Sequence, residues 1–335
     1  MFVFRPSRLS DLPAIEKLAQ ESPVGVTSLP PDRDTLFRKI QASLDSLAAD
    51  VSFHGEESYF FVLEQVERSE LVGVAGIVAS AGFNEPFYSY RNETLIHASP
   101  GLAIHNRIHA LSLCHDLTGN TLLASFFIRK PYAFTRQSDL LSRSRFLFMA
   151  NWPERFADTV VSEMLGATRL DGSSPFWDSV GRVFFGIDYQ TAEHYCGVNG
   201  RKFISEMMPQ HPIYVPLLSD EAQEAMGQVN PDSAVSFDVL IREGFEAENY
   251  IDIFDGGPTL HAATRAIRTI AQSRLATVRR GHGGGLPYLI ANRSVEEFRC
   301  LVVEAEPLGD AVNLSAAALD ALGVSDGATV RIAPL

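Results

Sequence analysis

Between Ile251 and Leu260 the chain reads Ile-Asp-Ile-Phe-Asp-Gly-Gly-Pro-Thr-Leu, which sets two carboxylates, Asp252 and Asp255, beside two glycines. Paired carboxylates suit a guanidinium or ammonium group. Gly256 and Gly257 permit positive φ and a close approach of backbone to a ligand. Glu163, in the alternating run Thr159 to Leu165, is a third carboxylate that could hold a cation. Spacing alone gives each of the three a turn-capping or surface role equally well.

A second constellation suits an anion. Leu122 to Ile128 is apolar apart from Ser125, carries no charge, and reads as a strand buried on both faces. Arg129, Lys130 and Pro131 end it, and a helix is expected from Ser138, an N-cap, with Leu140, Leu141, Ser144, Leu147 and Phe148 on one face. A strand from Thr159 to Leu165 follows the break at Pro153, completing a strand, loop, helix, strand unit. A helix N-terminus just past a buried strand offers free N–H groups to phosphates. The loop Arg129 to Gln137 has no glycine, so such a site would rest on backbone amides with Arg129, Lys130 or Arg136. The same pattern also describes an ordinary core unit. His105, His109, Cys114, His115 and Asp116 invite a metal, but Ile104 to Leu113 reads as helix or strand alike, and no second ligand pair has metal spacing. No metal is expected.

These residues need a scaffold. Phe2 to Phe4 reads as a strand; Ser10 caps a helix with Leu12, Ile15, Leu18 and Ala19 inside; the linker Gly25 to Pro31 leads to a helix on Leu36, Ile40, Leu44 and Leu47. Ser58 to Glu64 and Leu71 to Ala79 form a hairpin. Beyond the central unit, Ser174 caps a helix packing Phe176, Trp177, Val180, Phe184 and Phe185. Short helices follow at Asn199 to Met208 and Ser219 to Gly227, then a helix on Phe237, Leu240 and Ile241 ending at Gly244, then a strand from Asn249 to Phe254. The tail from Ser273 reads as a small β unit with strands near Leu289, Leu301 and Val330 and a helix capped by Ser315; Arg279 to Gly285 reads as a mobile loop.

Composition bounds the rest. With 335 residues, 46% hydrophobic and 21% charged, the chain can bury a large core. It has no apolar run of about 18 residues, the length a membrane span needs, and its first residues lack a signal-peptide pattern. Three scattered cysteines favour reduced thiols in a cytoplasm. A net charge of -13 argues against nucleic acid and suits a cationic small molecule.

Several ordered motifs carry a resemblance: Gly25-Val26-Thr27-Ser28-Leu29-Pro30, Glu57 to Glu64, Ser173-Ser174-Pro175-Phe176-Trp177, Glu206-Met207-Met208-Pro209 with His211-Pro212-Ile213-Tyr214, and Asn249 to Leu260. Together they resemble the arginine N-succinyltransferase family over essentially the whole chain, and most resemble its alpha-type chains. The resemblance implies transfer of succinyl from succinyl-CoA to the α-amino group of arginine, or possibly of ornithine, in arginine catabolism. It implies an α/β (α+β) fold, an N-acetyltransferase-like mixed sheet flanked by helices, expected over residues 1–262; the tail, in which Leu319 to Ile332 resembles a small barrel element of other enzymes, is expected as a small β-barrel-like unit over 263–335. It also implies an oligomer, with a sister beta subunit or with copies of itself. By match to the family's coenzyme-binding position it singles out Phe126, with Ser125 and Phe127 as neighbours.

One position departs from the family. In Gly227-Gln228-Val229-Asn230-Pro231, Asn230 stands where the family carries the histidine assigned as proton donor. Asparagine cannot titrate near neutral pH, but an α-amine of pKa about 8 keeps an unprotonated fraction, and a thiolate leaves readily. Three expectations follow: a transferase that uses His211 or Glu163 through water, a weakened or silent subunit supporting an active partner, or an enzyme with a shifted acceptor. Under the first two, Asn230→His is expected to raise the rate.

Overall fold

The computed structural model describes residues 1–282 and 284–335. Strand β1 (Phe2–Pro6) leads to α1 (Leu12–Glu21) and α2 (Arg33–Ala48), whose inner residues Leu12, Ile15, Leu18, Leu36 and Ile40 are buried against Phe60, Val62 and Val74. The first helix starts later than Ser10, because Leu9–Asp11 forms a 3-10 turn ahead of it. β2 (Ser58–Gln65) and β3 (Glu70–Val78) form the expected hairpin. β4 (Ser89–Ser99) and β5 (Ile104–Cys114) pair along their whole length, so the stretch that read as helix or strand is strand. His105 and His109 are exposed on it, and His109 Nδ1 lies 2.9 Å from Asn92 Oδ1.

β6 (Thr121–Ile128), α3 (Arg136–Asn151) and β7 (Thr159–Glu163) make the central unit, with β6 and β7 parallel. The cap of α3 is Thr135, three residues before Ser138: Thr135 Oγ1 accepts from the Gln137 amide, and Ser138 Oγ accepts from the Thr135 amide. α3 is buried nearly all round, from Ser138 to Met149. β6 is not buried on both faces. Its residues alternate, and one extra residue enters between Ala124 and Phe127, which pair with Gly76 and Val74. Ser125 sits at that bulge with φ +55. A bulge reverses the side-chain phase. Leu123 and Phe126 therefore pack on the α3 side, and Phe127 packs with the α1 and α2 residues.

Next come α4 (Pro175–Ser179), α5 (Gly181–Phe185), α6 (Tyr189–Asn199), α7 (Lys202–Met207), β8 (Ile213–Tyr214), α8 (Asp220–Ala225) and α9 (Ala234–Arg242). Ser174 caps α4 as expected, but the helix breaks at Val180, and Phe184 is exposed. β9 (Glu246–Ile251) and β10 (Pro258–Ala263) are antiparallel. β9 stops at Ile251, so Asp252 to Gly257 is the turn between two strands.

α10 (Arg268–Gln272) precedes β11 (Arg274–Arg280), β12 (Leu286–Ala291), β13 (Cys300–Ala305), β14 (Ala311–Leu314), α11 (Ala316–Leu322) and β15 (Thr329–Pro334). Arg279 and Arg280 thus belong to a strand; Gly283, in the run expected as a loop, lies outside the described residues. The C-terminal strands do not close into a barrel. Among the described residues the order β14-β11-β15-β12-β13 continues through the antiparallel β13–β1 pair into the same sheet, which ends at β8. The result is a large mixed sheet with helices on both faces.

Candidate active site

The parallel pair at the centre is short. Thr121 and Leu122 pair with Val160 and Val161, and past them the strands part. A cleft of about 110 Å³ opens there. Its walls are Leu122 to Phe126 of β6 and Ser162 to Leu165 at the end of β7, with Gly25 to Ser28 from the α1–α2 linker. The linker is bonded to the bulge twice: the Ser125 amide donates to Ser28 Oγ at 2.8 Å, and Ser125 Oγ donates to the Ser28 carbonyl at 2.9 Å. Phe126, the residue expected to meet the coenzyme, is thereby held in the wall of the cleft, half-buried beneath the Arg145 guanidinium, 5.6 Å from its ring centre.

One side of the cleft is acidic. Glu163, Glu193, Asp252 and Asp255 all line it, together with Arg201. Arg201 donates to Glu163 Oε2 at 3.1 Å, while Glu163 Oε1, Glu193 Oε2 and Arg201 Nη1 are buried without a partner. Burial pushes the Glu163 carboxyl up to about 7, against the pull of Arg201 and with Asp252 adding to the rise. Burial also raises Glu193, reinforced by Asp252 and Asp255, and raises Asp255, reinforced by Asp252. Burial by itself would lower Arg201, but Glu163 and the other acidic groups hold it firmly charged. Four acidic side chains against two arginines, Arg201 and Arg145, leave the cleft richer in acidic groups than in basic ones.

The turn that carries the two aspartates is built for close packing. Asp252 Oδ1 accepts from the Phe254 and Asp255 amides at 2.7 and 3.1 Å, Asp255 Oδ1 from the Gly257 amide at 2.9 Å, and Asp255 Oδ2 from the Tyr189 hydroxyl at 3.3 Å. A Cβ on Gly257 would lie 2.0 Å from the Met164 carbonyl oxygen, so only glycine fits where the turn crosses the end of β7. Both aspartates therefore cap the turn and face the cleft; the two roles coexist.

Other expected residues fall elsewhere. His211 is exposed on the turn before β8 and does not line the cleft. Asn230 does not line the cleft either; it is 9% exposed with its amide fully engaged: Nδ2 donates to the Gly166 carbonyl at 3.1 Å and to Thr168 Oγ1 at 3.0 Å, and Oδ1 accepts from the Asp232 amide at 3.0 Å. Its geometry is that of a brace between two loops, with no donor left for a reacting group. Arg129 is paired with Glu21 and Glu70, Arg136 with Glu304, and Lys130 is exposed. Asp116 bonds Arg91 and Tyr250 rather than its own backbone. Among the described residues no group of three or more His, Cys, Asp or Glu side chains is arranged to hold a metal ion.

Glu193, Arg201, Arg145 and Ser28 were not anticipated as site residues. Arg145 left little signal: the helix also carries Arg136, Ser138, Asp139, Ser142 and Ser144, so its polar residues read as a solvated face, and only the fold shows it buried nearly all round. Cys196 lies near Arg201 but is no nucleophile, since burial pushes its thiol up to about 12.

The sequence model described as "Arginine N-succinyltransferase beta subunit" matches residues 2–269, and that of its C-terminal domain matches residues 274–334. The chain belongs to the arginine N-succinyltransferase family. It is 56% identical over 335 residues to a Pseudomonas aeruginosa protein named "Arginine N-succinyltransferase subunit alpha", covering 99% of each chain. It is 41% identical to the Escherichia coli "Arginine N-succinyltransferase", covering 100% of this chain and 98% of the other. The solved structure of "arginine/ornithine succinyltransferase subunit AI" from Pseudomonas aeruginosa superposes with a TM-score of 0.94 at 55% identity, covering 100% of this chain and 98% of that one. These family relatives are named as transferases, and none of the names supports a silent supporting chain.

Proposed function

We propose that the chain transfers the succinyl group of succinyl-CoA to the α-amino group of L-arginine, giving N2-succinylarginine and CoA. The amine nitrogen attacks the thioester carbonyl carbon, the C–S bond breaks, and the electron pair leaves with the CoA thiolate, which takes up the second proton that the nitrogen sheds as the amide forms. The observation that carries this reading is Glu163: a carboxyl raised to about 7, with one buried oxygen unpartnered, in a cleft that opens where β6 and β7 part. A base of that pKa is matched to work near neutral pH. Glu163 accepts the ammonium proton, through water, which frees the amine to attack. Asp252, Asp255 and Glu193 take the guanidinium. Arg201 Nη1 takes the amino acid's α-carboxylate.

The coenzyme enters where β6 and β7 part, as in an N-acetyltransferase-like slot, since β6 there has no neighbouring strand on its β7 side. Phe126 supports its pantetheine arm, with Ser125 and Phe127 shaping the strand. Lys130, with Arg129 and Arg136 released from their surface ion pairs, meets the phosphates at the start of α3. Surface pairs of this kind are worth about 0–1 kcal/mol and exchange readily. The protein works in the cytoplasm as an oligomer, with a sister subunit or with copies of itself; its three cysteines are free and buried.

The deciding experiment is release of free CoA from succinyl-CoA by the purified chain, with arginine, ornithine and no acceptor compared in parallel. Arginine-dependent release is expected. Release that ignores the acceptor, or none from folded protein, overturns the reading.

A further inference from the structure

Two arginines two residues apart on α3 are both buried to 1% exposure, and they meet different fates. Arg143 lies 2.8 Å from the equally buried Glu243 and donates to Thr269 Oγ1 at 2.9 Å. Its charge is matched inside the fold.

Arg145 has no such partner. Its guanidinium donates to the Ser142 carbonyl at 3.0 Å, to Ser142 Oγ at 2.9 Å and, at 3.4 Å, to the Gly76 carbonyl, and it covers the Phe126 ring. All of these are neutral groups. A buried cation without a counter-charge is expensive. Its cost shows as a guanidinium pushed down to about 9 by burial alone. Yet Arg145 lines the cleft between β6 and β7. It reaches there from the α3 side of the sheet, the side to which the Ser125 bulge turns Phe126. The four carboxylates and Arg201 belong to other elements, and Arg201 is already paired with Glu163.

We propose that Arg145 is a donor-specificity residue whose missing counter-ion is the terminal carboxylate of a dicarboxylic acyl group, bound as its thioester. A guanidinium is suited to this, because its planar fork bonds a carboxylate in two places. A neutral acyl group of the same length would leave the buried cation unmatched, so the enzyme discriminates against it without any steric block. The inference rests on the acyl-transfer reading above.

The test compares succinyl-CoA with butyryl-CoA, which replaces the distal carboxylate by a methyl group, both with arginine as acceptor. The intact enzyme is expected to favour succinyl-CoA in kcat/KM by about 100-fold or more. Arg145→Gln is expected to remove most of that preference, lowering kcat/KM for succinyl-CoA by a far larger factor than for butyryl-CoA. Should Arg145→Gln not fold, Arg145→Lys keeps the charge without the fork and should lose part of the preference. A wild-type preference below tenfold overturns the proposal with no variant needed. So does an equal loss with both donors in either variant, or a rise confined to the KM for arginine, which would place the acceptor's carboxylate there. If the intact enzyme shows no arginine-dependent release from any acyl-CoA, the transfer reading itself fails; if it does and the donor ratio ignores Arg145, only this inference falls.

Discussion

Arg201 and Glu163 are joined on one side only: Arg201 Nη2 donates to Glu163 Oε2 at 3.1 Å, while Arg201 Nη1 and Glu163 Oε1 are both buried without a partner. Unmade hydrogen bonds on buried charged groups cost more than neutral ones. An amino acid that presents its carboxylate to Nη1 and its amine, through water, to Oε1 completes both at once. On the proposed transfer reading, the zwitterionic end of the substrate meets this pair, and the remaining carboxylates face its cationic side chain.

Glu163 should set the acid limb of the rate. Burial pushes its carboxyl up to about 7 in the ligand-free protein, and the deprotonated form is the base, so kcat/KM is expected to rise with pH through about 7 and then level. Glu163→Gln should lower kcat by about 10² to 10⁴ and flatten that limb. The same shift bears on stability. A carboxyl with a raised folded pKa contributes stability that is full below its ordinary unfolded value and is lost as pH rises through about 7. The Tm of the ligand-free protein should fall across that window, and less so in Glu163→Gln. A rate profile unchanged by the substitution removes Glu163 as the base.

Asp255 offers a cleaner test of guanidinium binding than its burial suggests. Asp255→Asn keeps an oxygen for the Gly257 amide, so the turn survives. What it loses is charge. A charge-assisted hydrogen bond is worth about 1.5–3 kcal/mol, so the KM for arginine should rise by about 10- to 100-fold while the KM for succinyl-CoA stays put. Steady-state kinetics with each substrate varied in turn would settle it, and an equal rise in both would mean the turn itself has moved.

What could be read from the sequence follows burial pattern closely. The inner stripes of α1 and α2 were plain because each buries one face and leaves the other wet, and the hairpin of β2 and β3 was plain because its strands, buried on both faces, are apolar runs on either side of a polar turn. α6 was missed because its inner face, Tyr189, Ala192, Glu193 and Cys196, includes a buried carboxylate and a tyrosine where aliphatic residues would announce a helix. β4 and β5 were indistinct because much of each is exposed. Within the site, Asp252, Asp255 and Glu163 stood out by residue type and neighbouring glycines. Arg201 did not, since nothing local ties it to Glu163, 38 residues away along the chain. The bulge at Ser125 carries no glycine of its own; its mark lies across the pair in β3, where Gly73 and Gly76 flank the register shift and let the β6 backbone come close.

Asn230 should behave as a brace. Its side chain bonds Gly166, Thr168 and Asp232, so Asn230→Ala is expected to cost about 1–3 kcal/mol in stability, read from denaturant unfolding. Asn230→His, which the family pattern suggests would speed the reaction, should change kcat by less than about tenfold. An imidazole can accept the Asp232 amide but cannot donate to both other partners at once. A rise of 10² or more would show that the position carries a proton after all.

The bond between Ser125 and Ser28 should govern coenzyme binding rather than chemistry. A non-glycine residue at φ +55 carries about 1–3 kcal/mol of strain, and the reciprocal pair with Ser28 is what the bulge gains in return. Ser125→Gly relieves the strain and loses one hydroxyl bond, worth about 1 kcal/mol, so its stability should lie close to the parent. Ser125→Val keeps the strain, adds a β-branched side chain at positive φ and cannot donate to the Ser28 carbonyl. It should be destabilised by at least about 2 kcal/mol and raise the KM for succinyl-CoA. Because Phe126 faces the α3 side only through this bulge, loss of the bulge would swing Phe126 to the other face and empty the lip of the cleft. The KM for arginine, which the proposed function assigns to residues on β7 and the β9–β10 turn, should not follow.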